Sequence, residues 1–160
     1  MTILTDLVIE VDDLAGSEIA AFLAAHAEQL RSLTPPESTH VLDLEGLRRS
    51  DVRVWVARAD DRIVGCGALK QLDAGSPGVG HGEIKSMRTA PTWRGRGVGG
   101  AILERMLDEA RSNCWTRVSL ETGADDFFAP ARRLYARYGF VECAPFGDYC
   151  DDPVSVFMTR

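Results

Sequence analysis

The spacing of apolar positions changes several times along the chain, and each change marks an element. Ile3–Val11 alternates apolar with polar and reads as a first strand, ended by Asp12-Asp13. Over Gly16–Leu33 the period becomes helical, with Ile19, Phe22, Leu23, Ala27, Leu30 and Leu33 on one face and Ser17 as the expected N-cap. Thr34-Pro35-Pro36 ends that helix, because proline lacks a donor and fixes its own φ. Asp43–Arg49 reads as a second, short helix. The period then drops to two. Val52–Ala57 and Ile63–Leu72 alternate on either side of Asp60-Asp61, which predicts an antiparallel hairpin, and Gly65 and Gly67 predict a bulge in its second strand. Asp73–Gly82 reads as a glycine-rich loop.

Glu83–Arg111 is the stretch around which the rest is arranged. Its strand places Ile84, Ser86 and Arg88 on one face and Lys85, Met87 and Thr89 on the other. After the turn Arg94-Gly95-Arg96-Gly97-Val98-Gly99-Gly100, a helix follows with Val98, Ile102, Met106 and Ala110 at four-residue spacing. Glycines in the first turn of a helix leave main-chain N–H groups without intrahelical partners and without Cβ atoms above them. With the positive end of the helix dipole, that makes a seat for an anion such as phosphate.

Downstream, Arg117–Thr122 is a further strand. Ala131–Tyr138 is a short helix that tolerates Pro130 in its first turn and stops at Gly139. Phe140–Cys143 and Val154–Met158 are the last strands. This order predicts one α/β (α+β) domain over residues 1–160, with a mixed sheet flanked by helices.

Composition narrows the chemistry. A net charge of −6 argues against a nucleic-acid partner, which needs a basic footprint. Cys66, Cys114, Cys143 and Cys150 form no C-x-x-C pair and have no metal-binding histidine spacing, so no metal site is expected and a cytoplasmic setting fits best. The apolar stretch Ile19–Ala27 is too short to span a bilayer, so no membrane association is expected.

Two phosphate ligands compete for the glycine run. Gly95-x-Gly97-x-x-Gly100 satisfies a dinucleotide fingerprint, with Glu121 where a ribose-binding acid would sit, and this would make the protein a nicotinamide-dependent oxidoreductase. Against it, the motif follows an antiparallel hairpin, Pro91-Thr92-Trp93-Arg94 separates strand from glycines, and only 39 residues follow Glu121.

Arg94-Gly95-Arg96-Gly97-Val98-Gly99 instead resembles the signature of the GNAT superfamily, the acetyl-CoA-dependent N-acetyltransferases: Arg or Gln, two residues, Gly, one residue, Gly or Ala. A second block, Ala-x-x-Leu-Tyr-x-x-x-Gly-Phe, reads here Ala131-Arg132-Arg133-Leu134-Tyr135-Ala136-Arg137-Tyr138-Gly139-Phe140. Pro-Pro-Glu-Ser, Gly-Glu-Ile-Lys-Ser-Met-Arg-Thr and Phe-Gly-Asp-Tyr are similar to a small bacterial subgroup, some of whose members carry indoleacetate-related labels. The resemblance implies a mostly antiparallel central sheet and acetyl-CoA as cosubstrate.

It also implies roles for residues. Arg94, Gly95, Arg96, Gly97, Val98, Gly99 and Gly100 would hold the coenzyme A pyrophosphate. Met87, Arg88 and Thr89 would lie along the pantetheine arm, with the Met87 N–H on the thioester oxygen. Phe128 stands three residues before the second block, where many members have a cofactor-binding asparagine, so that contact is absent or supplied otherwise, for instance by packing on the cofactor arm. Arg132, like Arg133 and Arg137, is a candidate for the 3′-phosphate. Tyr135 would protonate the departing thiolate.

Glu83 lies eleven residues before Arg94, where histone-acetylating members carry a basic glutamate; His81 is a second candidate base, better matched to neutral pH. Acceptor selection falls to Ser32–His40, Gly75–Gly82 and Phe146–Pro153. His40, Phe146 and Tyr149 suit an aromatic or amphipathic amine, and Glu37, Asp148, Asp151 and Asp152 a cationic one. The expected reaction is direct transfer to a primary amine of a small molecule or peptide in a ternary complex, since no cysteine has an evident histidine partner. A non-catalytic acyl-CoA sensor is the rival from another class. The family also allows a homodimer paired through the last strands.

Overall fold

A computed structural model describes residues 6–72 and 80–160. In chain order the elements are β1 (Val8–Val11), α1 (Ser17–Leu33), α2 (Leu44–Leu47), β2 (Val52–Ala59), β3 (Arg62–Gln71), β4 (Gly80–Thr89), α3 (Val98–Ser112), β5 (Trp115–Gly123), α4 (Ala129–Arg137), β6 (Val141–Glu142) and β7 (Ser155–Thr159). The strands form one seven-stranded sheet in the order β1-β2-β3-β4-β5-β7-β6. Among the described residues only β4 and β5 run parallel, and every other pairing is antiparallel. The sheet is therefore mixed and mostly antiparallel, with helices on both faces.

Period-two alternation in β2 shows how the two faces are filled. Trp55 and Ala57 join Leu69, Ile84, Leu120 and the buried stripe of α3 (Val98, Ile102, Met106, Ala110) in one core layer. Val54 and Val56 face the other way, against Ile19 and Leu23 of α1 and Leu47 of α2. Fully burying each such aliphatic side chain contributes about 1.5–3 kcal/mol, and both layers meet through the central strands β2, β3 and β4.

Several local expectations change. Gly16, not Ser17, is the N-cap of α1, and it has no side chain to cap with. Asp43 does cap α2, accepting the Gly46 N–H at 2.8 Å. The expected loop ends early, because Gly80, His81 and Gly82 belong to β4; positions 73–79 lie outside the described residues.

The glycines of β3 serve close packing. A Cβ at Gly65 would lie 2.6 Å from Val98 Cγ1, and one at Gly67 would lie 2.6 Å from Met87 Sδ. The bulge expected in β3 falls at Val64, beside Gly65: Ala57 pairs with Gly65 and Arg58 with Ile63, and β4 carries a second bulge. Cys66 pairs with Arg88 and Ala68 with Lys85, so Ser86 and Met87 together oppose Gly67. Ser86 takes the left-handed conformation (φ 56°) to allow this. The extra residue breaks the alternation read from the sequence: Ile84 and Met87 pack on the α3 side, while Arg88 turns to α1.

Candidate active site

The site opens where two strands part. β4 and β5 are paired from Gly80↔Trp115 to Ile84↔Leu120; beyond that β5 continues beside β7 alone, and Lys85–Thr89 keeps only β3. Ala90 donates its N–H to Val64 on β3 at 2.8 Å. Main-chain donors alternate sides along a strand, so the Thr89 N–H, and beyond it that of Met87, point into the gap. A cavity of about 880 Å³ fills this gap. It runs from Gly95, Gly97, Val98, Gly99 and Gly100, past Met87, Thr89, Phe128, Leu134 and Tyr135, to Glu83, His40 and Tyr149.

At one end is the glycine turn. The chain enters α3 through Gly95 (φ 75°) and Gly97 (φ 84°), both in the region that suits glycine. Ala101 makes the first bond of the helix, its N–H donating to the Gly97 carbonyl at 3.0 Å. The preceding N–H groups, from Gly97 to Gly100, are the helix's orphan donors. Gly99 and Gly100 are small for a second reason: Cβ atoms there would lie 3.1 Å from Leu134 Cδ2 and 3.0 Å from the Tyr138 hydroxyl, so α4 packs directly on the start of α3. Arg94, Arg133 and Arg137 add positive charge to this end.

At the other end a polar trio is built on the buried Glu83 with the half-buried Lys85 and Tyr149. Glu83 is 4% exposed; its Oε2 accepts from the Tyr149 hydroxyl at 2.6 Å and from Lys85 Nζ at 3.2 Å. Lys85 also donates to the Tyr149 oxygen at 3.0 Å. Burial first, then the Glu83 charge, pushes the Tyr149 pKa far above the ordinary phenol range. The loop carrying Tyr149 is tied back to the α1–β2 connection by an edge contact with His40 (centroids 5.0 Å) and by the Ser38 hydroxyl donating to Asp152. Glu121, half-buried and accepting from the Ser155 hydroxyl, has its pKa raised by desolvation. Tyr135, between the two ends, is raised too, by burial and by Glu121. A second cavity, of about 930 Å³, lies across the trio and is lined by Glu37, Asp148, Asp151 and Asp152 as well as His40, Glu83, Lys85 and Tyr149.

The sequence-derived site residues thus fall into three groups. Glu83, Met87, Arg88, Thr89, Arg94, Gly95, Gly97, Val98, Gly99, Gly100, Phe128 and Tyr135 line one cavity. Phe128 packs against Gly123, where a Cβ would come within 2.1 Å of its ring. Arg132 is turned elsewhere: it donates to the Gly123 and Asp125 carbonyls and braces the β5–α4 connection, leaving Arg133 and Arg137 toward the cavity. The Arg96 guanidinium stacks on Trp93 at 4.9 Å. His81 is a strand residue whose Nε2 lies 2.7 Å from Ser119 Oγ, and it borders the second cavity.

His26, Gln29 and Lys85 line the first cavity without having been singled out from the sequence. The available signal was a histidine on the apolar face of α1, three residues beyond Leu23, and a lysine two residues from Glu83 on the same strand face. Burial and the nearby Arg88 charge push the His26 pKa down to about 4.

Comparison with known proteins agrees with this geometry. The acetyltransferase (GNAT) family profile matches residues 18–140. The chain is 44% identical over 152 residues to the uncharacterized N-acetyltransferase YsnE of Bacillus subtilis, covering 95% of this chain and 97% of that one. It is 43% identical over 131 residues to a protein of Azospirillum brasilense named IAA acetyltransferase, with 82% of each covered. Among solved structures, yncA of Salmonella typhimurium, described as an acetyltransferase and determined with its cofactor acetyl-CoA, superimposes with a TM-score of 0.71 at 18% identity, over 98% of this chain and 94% of that one. The nicotinamide reading of the glycine run is thereby set aside, and the chain belongs to the acetyltransferase (GNAT) family.

Proposed function

We propose that this acetyltransferase moves the acetyl group of acetyl-CoA to a primary amine by direct attack, with both substrates bound together. The observation that carries the reading is the gap between β4 and β5, with strand donors along one wall and helix donors at one end. Its residues fit the cosubstrate: the Gly97–Gly100 N–H groups suit a diphosphate, and the Thr89 and Met87 N–H groups suit an amide-bearing arm laid along the strand edge. When bound, acetyl-CoA supplies an activated acyl carbon and a thiolate leaving group.

The chain's own groups do the rest. The Met87 N–H donates to the acyl oxygen, where negative charge develops. Glu83, held by Tyr149 and Lys85, accepts the proton that the amine loses as the C–N bond forms. Tyr135, kept protonated by its burial, holds the proton that passes to sulfur as the C–S bond breaks. Cys66 is disfavoured as an acetyl-accepting nucleophile, because burial pushes its thiol up to about 12. The second cavity gives the amine an approach from the side opposite the diphosphate seat.

The test measures acetyl-CoA binding calorimetrically and coenzyme A release with a panel of amines. The expected result is micromolar binding and amine-dependent release, slowed about 10²-fold in Tyr135→Phe at unchanged acetyl-CoA affinity. Binding without release for any amine would leave a sensor of acyl-CoA instead.

A further inference from the structure

We propose that Arg88 is the carboxylate receptor of the acceptor site, so that the amine acetylated is that of a free amino acid. This rests on the acetyl-transfer reading above and names the acceptor for it.

Arg88 carries a charge without a counter-charge. Arg88 leaves β4 immediately after the bulge and turns to the α1 side of the sheet. Its guanidinium lies over the Phe22 ring at 5.3 Å, and Nη1 donates to Gln29 Oε1 at 2.7 Å. Its Nε is buried and has no hydrogen-bond partner. Among the described residues, no carboxylate lies within ion-pair distance of it. Its other neighbours are neutral or positive: His26 is held uncharged at neutral pH, the Cys66 thiol keeps its proton, and Arg94 is a second cation.

A guanidinium stays charged across physiological pH, and any part of it shut off from water without a counter-charge is costly. Arg88 is half-buried, lining the cavity with His26 and Gln29, and its Nε is the part so enclosed. Phe22 and Gln29 fix the plane of the fork and supply no negative charge. The missing partner is therefore an anion brought by a ligand, and a planar fork suits a carboxylate.

Position separates the acceptor from the cosubstrate as the source of that anion. The diphosphate seat is at the start of α3, and α3 packs on the Met87 face of β4. Arg88 projects to the α1 face. It follows Met87 directly in the chain, so a carboxylate on Arg88 holds an attached amine close to the strand position whose N–H faces the gap.

The test compares L-amino acids with their carboxamides, which keep amine and shape and remove the charge. With wild-type enzyme, kcat/KM should favour at least one amino acid over its carboxamide by about 10²-fold or more. Arg88→Gln should collapse that ratio toward one through KM for the amino acid, with KM for acetyl-CoA moving less than about threefold. Arg88→Lys, which keeps charge and loses the fork, should restore part of the ratio, and it carries the test if the glutamine variant fails to fold. A second readout needs no turnover: calorimetric titration of the preferred amino acid into enzyme saturated with coenzyme A should give heat that Arg88→Gln abolishes. Equal use of acid and carboxamide would overturn the assignment while leaving acetyl transfer intact. A rise in acetyl-CoA KM in step with the amino-acid KM would assign Arg88 to the cosubstrate instead, and also overturn it. Failure to bind acetyl-CoA at all would remove the underlying reading.

Discussion

The Tyr149 hydroxyl stands 2.6 Å from Glu83 Oε2, joining the β6–β7 connection to the middle of β4 across 66 residues of sequence. Because burial and the Glu83 charge keep the phenol protonated, Tyr149 is a fixed donor that aims the carboxylate. Tyr149→Phe should therefore lower kcat about 10-fold, and Glu83→Gln by about 10²–10³-fold. Steady-state kinetics should show both losses with acetyl-CoA KM within about twofold of wild type. A parallel loss of acetyl-CoA affinity would contradict the placement of this pair at the acceptor end.

All three tyrosines of the chain, Tyr135, Tyr138 and Tyr149, have pKa values raised, in each case chiefly by burial. The folded protein thus keeps phenolic protons that the unfolded chain releases near pH 10. Stability is full below that pH and falls as pH rises above it. Tyr135 and Tyr149, the two more strongly shifted, together should steepen the loss by about 3 kcal/mol per pH unit. Absorbance at the tyrosinate band should stay flat past the ordinary phenol midpoint and rise together with loss of fold. A smooth midpoint near pH 10 in the native protein would refute this.

His26 predicts the opposite slope in acid. Its folded pKa of about 4 lies below the ordinary 6.5, so the unfolded chain binds the proton first. The associated stability is fully present above pH 6.5 and is lost between there and pH 4, amounting to about 3 kcal/mol. Chemical denaturation at a series of pH values should show this loss in wild type and a shallower one in His26→Gln. Parallel curves would show that His26 titrates normally.

Backbone geometry, more than side-chain identity, should govern the two donor sets. Gly97→Ala forces a Cβ into a left-handed position at the head of α3 and should weaken acetyl-CoA binding at least 10-fold while costing about 1–2 kcal/mol of stability. Ser86→Gly relieves the strain at the bulge and should leave kcat nearly unchanged, whereas Ser86→Val should lower it by about 10-fold or more by displacing Met87. Calorimetry and kinetics on the three variants check this. Equal behaviour of the glycine and valine variants would mean that the bulge does not set the donor.

The elements with strong periodicity were legible in the sequence: α1, the β2–β3 hairpin, the strand–turn–helix centred on the glycines, and α4 between Pro130 and Gly139. The two motif blocks also brought Tyr135, Phe128 and the glycine turn to one cavity. The β4 bulge was not legible, because nothing in Ser86-Met87 distinguishes it from ordinary strand; it appears only in the register with β3. That single inserted residue sends Arg88 to α1. The Glu83–Lys85–Tyr149 trio was hidden for another reason: the tyrosine arrives from a loop whose course no local pattern encodes. Arg132 and Arg133 are adjacent and alike in sequence, and only helix phase decides which one braces carbonyls and which one faces the cavity.

The parting of β4 from β5 leaves the sheet with a seam that no described strand closes. On the reading proposed here, a metabolite stitches that seam by lying along the exposed strand edge. The protein's resistance to unfolding would then rise and fall with the thioester supply, by mass action, so that the enzyme is sturdiest when acetyl donors are abundant.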